Sequence, residues 1–277
     1  MHRFYLPPER CHGVALQLDK QEAHHALDVL RLKQGESVVV LDGAGHQFTC
    51  EITESSRAGV MLAVKQKQFI PQPACSVTLL VAIPKGKIIE SIVQKSVELG
   101  AARVVPLLTE RVVTQLDPND RAGKRDKWQQ VAVEAIKQCG AAWLPKIETP
   151  VTIAEALQDR SGRRQTAGIT GGHEACGTSA FSLQPSAFDL SLVGSLQTDR
   201  RHPRECFQEY QATHGRLPKS LAVWIGPEGD FTMDELETIV ASGALPISLG
   251  RLVLRVETAA IYCLSIVNYE LEAKSLV

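Results

Sequence analysis

Apolar and polar positions alternate at period two in HQFTCEIT (46–53) and again in GVMLAVKQ (59–66). Such alternation marks half-buried strands, and the Asp42–Gly43 pair that closes SVVVLDG is a turn signal before the first of them. A second turn is expected at Arg57–Gly59. One short helix, QEAHHALDVLRL (21–32), sits among these strands. The first 70 residues therefore predict a small β-rich barrel or sandwich. FIPQPAC (69–75), with two prolines, reads as a linker.

From Ser76 onward strands alternate with helices. SVTLLVAI (76–83) is a continuous apolar run, as expected for a strand covered on both faces. A helix from about Lys87 to Leu99 carries Ile88, Ile89, Ile92, Val93 and Val97 on one stripe, and Gly100 stands where a helix-ending residue belongs. ARVVPLL is another strand. Asp126 can N-cap the helix DKWQQVAVEAIKQC, which Gly140 closes. Residues 160–187 are polar and rich in Gly and Ser, an irregular insertion. DLSLVGSL and LAVWIG resume the strands, and Thr232 with Glu235 forms a T-x-x-E capping box for MDELETIVASG. PISLG is a last short strand. The final helix starts near Glu257, with Ala260, Cys263, Leu264 and Val267 at helical spacing, while Ile261, Tyr262 and Ile266 fall outside that stripe. The alternation predicts an α/β unit with a mostly parallel sheet and right-handed crossovers.

Length and composition fit this picture: 277 residues, 44% hydrophobic and 22% charged, favour two soluble domains. No apolar run approaches the roughly 20 residues of a membrane span, and MHRFYLPPER lacks a secretory apolar core, so a cytoplasmic protein is expected. Seven scattered cysteines, without CxxC or HExxH, argue against a disulfide framework or a metal site; His173 with Cys176 is the nearest thing to one. The net charge of −1 hides an asymmetry: residues 75–150 hold 11 basic and 8 acidic groups, residues 151–277 hold 11 and 15. The middle third is the candidate footprint for a polyanion.

In parallel sheets ligands lie beyond the carboxyl ends of strands. Two loops have that position and unusual composition. IGPEGDF (225–231) offers Gly226 and Gly229 for close backbone approach, Pro227 to stiffen the turn and Glu228 as a carboxylate. LGRLVLRVETA (249–259) places two arginines and a glutamate near a helix start. Neither matches a dinucleotide fingerprint or a phosphate-cradling P-loop. Spacing alone gives a ligand site here and names no ligand.

These two loops resemble the paired signatures of SPOUT methyltransferases, and more narrowly those of the ribosomal RNA small subunit methyltransferase E family, which has IGPEGGF and LGxRILRxETA. RFYLP (3–7), HHALDVLRLKQGE (24–36), KGKIIESIVQKSVELGA (85–101), TERVV (109–113) and VAVEAIKQCG (131–140) match as well, in family order. The resemblance implies a PUA-like RNA-binding barrel at 1–72 and a trefoil-knotted methyltransferase domain at 73–277. It implies a homodimer that methylates N3 of a uridine in 16S rRNA of the small ribosomal subunit, without metal or membrane. S-adenosylmethionine (SAM) would be held by Leu196, Ile225, Gly226, Glu228, Gly229, Leu249, Gly250, Leu254 and Thr258, largely through backbone groups. Three departures stand out. Asp230 replaces the second glycine of the usual pair, a glycine near Gly250–Arg251 is missing or shifted, and Ala141 replaces an arginine that Arg121, Lys124, Arg125 and Lys127 could replace electrostatically.

Methylating uracil N3 requires removal of a weakly acidic proton and stabilisation of charge on O2 and O4. Arg255 is the candidate for that stabilisation, with Glu257 orienting it or acting as base; the alternative is a structural ion pair between the two. The target base must leave its stack. Arg3, Arg31, Lys85, Lys87 and Arg111 are the candidate phosphate contacts. Competing readings are a SPOUT enzyme acting on another RNA or on a ribose 2′-OH, and a non-catalytic ribosome-assembly factor.

Overall fold

The computed structural model describes residues 1–56, 59–111, 117–157, 188–197 and 199–272. The 160–187 insertion with His173 and Cys176, Arg57, and the last two residues of TERVV lie outside them.

The amino-terminal part is a five-stranded sheet of order β1-β3-β4-β5-β2. Its strands are β1 (Arg3–Tyr5), β2 (Ala15–Gln17), β3 (Ser37–Leu41), β4 (His46–Ser56) and β5 (Gly59–Phe69). β1 pairs with β3 in parallel; the other pairs are antiparallel. The alternation noted above has its cause here: Phe48, Cys50, Ile52, Val60 and Leu62 point into one core with Phe4, Leu6, Leu16, Val38 and Val40. Asp42 closes the predicted turn by accepting hydrogen bonds from the amides of Ala44 and His46. Helix α1 (Lys20–His24), N-capped by Asp19, continues into one π-helical stretch, His25–Val29.

The second sheet begins at Ser76 and has seven strands, all paired in parallel: β6 (Ser76–Ala82), β7 (Arg103–Leu108), β8 (Lys146–Ile147), β9 (Val151–Thr152), β10 (Leu190–Gly194), β11 (Ser220–Ile225) and β12 (Leu245–Ile247). Their order is β12-β10-β11-β6-β7-β8, with β9 also on β7. Successive side chains of β6 serve opposite faces. Val77, Leu79 and Val81 join the core shared with α2 (Ile88–Glu98), α3 (Arg121–Cys139), α5 (Pro203–His214) and α7 (Val256–Glu272). Leu80 joins Val193, Trp224, Phe231, Leu236 and Ile239 under α4 (Ile153–Leu157) and α6 (Met233–Ala241). Burial on both faces is why these strands read as unbroken apolar runs.

One helix boundary differs from the sequence reading, and α4 and α5 are additional to it. α3 starts at Arg121, so Asp126 lies within the helix rather than at its cap, beside Arg125 at 2.5 Å. The first turns, RAGK, carry no apolar stripe that would have announced them. α5 was not anticipated, although Pro203 at its first turn, a His202 cap and Gly215 in the left-handed C′ conformation are all start and stop signals.

The two sheets meet at a close junction. Gly43 accepts a hydrogen bond from the Leu144 amide, and the Gly45 amide donates to Ala142. A Cβ on Gly45 would sit 2.5 Å from the Trp143 ring, so only glycine allows this approach. Trp143 Nε1 donates to the Ile70 carbonyl, and Lys137 of α3 reaches Glu22 of α1 at 2.8 Å.

Candidate active site

The registers of the parallel strands bring three carboxyl ends level. Gly194 lies opposite Ile225 on one side and Ile247 on the other. The loops that follow converge on a cleft that is partly open to solvent. Leu196, Ile225, Gly226, Glu228, Leu249, Gly250 and Leu254 line it, all of them named from sequence. Gly229 and Thr258 are not among the lining residues. Gly194, Ser195, Arg200, Pro227, Asp230, Leu252, Val253, Val256 and Ala259 line it too and were not named as cofactor contacts. The signal for Gly194 and Ser195 was their place at a strand's carboxyl end.

The loop after β11 is built tightly. A Cβ on Gly226 would meet both the Phe231 ring and the Phe231 amide nitrogen at 3.1 Å, the latter backbone that cannot swing aside. The Asp230 amide donates to the Pro227 carbonyl at 2.9 Å, closing the turn. Asp230 itself adopts φ +63, a conformation that Asp tolerates better than most residues. Its carboxylate accepts the Phe231 amide through Oδ1 and the Leu196 amide through Oδ2, both at 2.9 Å. Beyond the turn, the capping box forms as expected, with Thr232 and Glu235 each accepting the other's backbone N–H. In the third loop Gly250 takes φ +113 and its amide donates to Ser248 Oγ.

Arg255 and Glu257 bracket the start of α7, between lining residues Leu254, Val256 and Ala259. Arg255 is exposed and Glu257 half-buried. Among the described residues neither side chain makes an ion pair or hydrogen bond, so the structural ion pair between them is not formed. Arg255 itself is not among the residues lining the cleft; its neighbours Leu254 and Val256 are.

The five candidate phosphate contacts separate into two groups. Arg31, with φ +55, and Lys85 and Lys87 are exposed. Arg3 instead donates to the Gln138 and Lys137 carbonyls at 2.9 and 3.4 Å, tying β1 to the end of α3. Arg111 donates to the Gly229 carbonyl and, at 3.5 Å, to that of Phe231, bracing the loop after β11. Of the cations considered in place of an arginine at Ala141, Arg121 pairs with Glu155, Arg125 with Asp126 and Lys127 with Glu90. No group of three or more metal-ligating side chains exists among the described residues, and no described helix is long and apolar enough to cross a membrane.

Comparison with known proteins gives this geometry its context. A family model for the RNA methyltransferase domain matches residues 71–268, and one for the RNA methyltransferase PUA domain matches 18–60. The ribosomal RNA small subunit methyltransferase E of Synechocystis sp. is 29% identical over 98% of this chain and 78% of its own. The Bacillus subtilis protein of the same name is 28% identical over 91% and 89%. Among solved structures, a methyltransferase of Legionella pneumophila in complex with the cofactor SAM superposes with a TM-score of 0.77, at 29% identity over 98% of this chain and 96% of that one. A small subunit methyltransferase E from Neisseria gonorrhoeae, at 23% identity over 96% of each chain and a TM-score of 0.72, shares the fold. The resemblance read from the two loop signatures is thus borne out across nearly the whole chain, and the chain belongs to the RNA methyltransferase family, with that family's PUA domain ahead of its methyltransferase domain.

Proposed function

We propose that this protein transfers the methyl group of SAM to N3 of a uridine in 16S rRNA of the small ribosomal subunit. The observation that carries the reading is the cleft formed where the loops after β10, β11 and β12 converge, inside the matched methyltransferase domain. The names of the relatives and the SAM-bound Legionella neighbour support the substrate and the donor.

The cleft suits SAM. Ile225, Leu249, Leu254, Val256 and Ala259 supply apolar walls for an adenine ring, and Leu196, Gly226 and Gly250 present backbone beside them. Glu228 adds a carboxylate to the lining, while Gly229 lies between lining residues Glu228 and Asp230 and Thr258 precedes lining residue Ala259. When bound, SAM supplies a methyl group already activated by its sulfonium. The chain's task is then alignment and charge. Arg255, between the lining residues Leu254 and Val256 and without a partner among the described residues, stabilises the negative charge that spreads over uracil O2 and O4 as N3 loses its proton. Glu257, one residue beyond Val256 and not bonded to Arg255 among the described residues, takes the proton. Arg31, Lys85 and Lys87 hold phosphates by charge; Arg3 and Arg111 act on the protein's own backbone.

The domains divide at 72/73, and the trefoil knot implied by the resemblance lies where the three loops meet. The protein works in the cytoplasm as a homodimer. Tyr262 and Tyr269 on α7, with Leu252 and Val253 on the preceding loop, are exposed at 45%, 60%, 79% and 70%, more apolar surface than a lone subunit needs. Light scattering at micromolar concentration should give twice 30.2 kDa; a monomer would overturn this part of the reading.

The function is tested by incubating purified protein and SAM with small subunits from a strain lacking the gene, then mapping the product by mass spectrometry. One methyl on N3 of one uridine is expected. A ribose methyl, or methylation of a different RNA, would replace the substrate assignment. Tight subunit binding with no transfer would favour a non-catalytic assembly factor.

A further inference from the structure

We infer that Asp230 is a positioning residue for the cofactor: its carboxylate locks the loop after β10 to the loop after β11 and so holds both walls of the cleft ready for SAM. The inference rests on the reading of this cleft as the SAM site.

Asp230 is buried, 7% exposed, and lines the cleft. Its two oxygens have separate duties. Oδ1 accepts the amide of the adjacent Phe231, which fixes the side-chain rotamer. Oδ2 then reaches 34 positions back along the chain to the Leu196 amide. That amide belongs to the loop leaving β10, which also turns on the Gln197 amide to Ser195 Oγ and on Arg200 donating to the Ser195 carbonyl. The loops therefore meet through one carboxylate, and a glycine at 230 would leave the Leu196 amide without this acceptor. A carboxylate accepting two backbone N–H groups is a strong, charge-assisted arrangement. It is held in a backbone conformation, φ +63, that glycine would adopt more cheaply. A strained position retained in a cleft wall for the sake of its side chain is the pattern of preorganisation. The wall it holds includes Leu196, 46% exposed, whose place depends on its own amide being held.

The test uses the full chain in two variants. Asp230→Gly removes both bonds and relieves the backbone; Asp230→Asn keeps size and backbone preference but offers one acceptor oxygen where two amides need one each. Calorimetric titration with SAM is compared with the thermal stability of the free protein and with single-turnover methylation. Positioning predicts that SAM binding weakens at least about tenfold in both variants, ~1.4 kcal/mol. It predicts too that saturating SAM restores most of the rate, and that amide exchange in residues 195–197 accelerates in the free protein. Free Asp230→Gly should melt no earlier than about the wild type. Wild-type affinity in both variants would overturn the inference. So would weakened binding that tracks a general loss of stability without a local change at 195–197. Failure of the wild-type protein itself to bind SAM would instead overturn the functional reading.

Discussion

Arg255 is where the chemistry is most exposed to test, because its guanidinium has no partner among the described residues. If it stabilises the uracil anion, Arg255→Ala should slow single-turnover methylation by roughly 10²–10³-fold while SAM affinity stays near wild type. Arg255→Lys keeps the charge but loses the planar fork, and should recover only part of that rate. A phosphate contact would behave otherwise, weakening subunit binding in a salt-dependent way and sparing the chemical step. Gly226 gives the complementary result. Its Cβ would lie 3.1 Å from the Phe231 nitrogen, so Gly226→Val should push the loop out of place and abolish calorimetric SAM binding without unfolding the sheet behind it. At this scale residue type was legible and partnership was not. Arg3 and Arg111 look in sequence like any other cations, and only the folded chain shows their guanidinium groups turned to backbone carbonyls. Asp230 was visible as a departure from glycine, yet its bond to Leu196 spans a separation that no local pattern encodes.

Elements were readable where burial imposed a period. β6, β10 and β11 announce themselves as apolar runs, and Thr232 with Glu235 marks the start of α6 in the sequence itself. β8 and β9, two residues each, are too short to carry a period and exist by pairing with β7. The amino ends of β10 and β11 are held by Asp189, whose carboxylate accepts Arg216 at 2.9 Å and the Lys219 amide at 2.7 Å. The Arg216 bond foremost, against a smaller opposing effect of burial, lowers the Asp189 carboxyl from 3.8 to about 2. A carboxyl lowered on folding adds stability above its unfolded value and loses it as pH falls through the folded one. Wild type should therefore exceed Asp189→Asn in urea midpoint at neutral pH, by a small margin because Arg216 is 43% exposed. The two should converge as pH falls from 3.8 to about 2. A gap that persists below pH 2 would place the contribution in the neutral hydrogen bonds rather than the charge.

Across the whole molecule, the relation between the two sheets depends on a buried charge cluster as well as on the glycine junction. Lys137 and Glu22, each with a side chain only 8% exposed, meet at 2.8 Å, and Glu134 adds a second carboxylate to Lys137 at 2.9 Å. Glu22 Oε2 is buried without a hydrogen-bond partner. Burial raises the Glu22 carboxyl above its ordinary 4.5, despite the help of Lys137. Burial works against the Lys137 charge too, but the bonds from Glu22 and Glu134 outweigh it and raise its pKa. The Lys137–Glu22 pair could not be read from the sequence, since its partners lie 115 positions apart in different domains. A desolvated pair of this kind contributes little net stability when intact and costs much when half-broken. Lys137→Met should therefore destabilise the protein by about 3–5 kcal/mol, because Glu22 stays buried with only the His25 imidazole, 4.0 Å away, in place of the lysine. Adding Glu22→Met should recover most of the loss. The sign of the pH response follows from the raised carboxyl: protonating Glu22 removes the stranded charge, so the Lys137→Met penalty should shrink as pH falls toward 4.5 and grow above it. Urea unfolding of both single variants and the double variant, across that range, measures the coupling. Additive losses with no pH dependence would show that the two side chains act independently and that the domains are oriented by the Gly45–Trp143 contact instead.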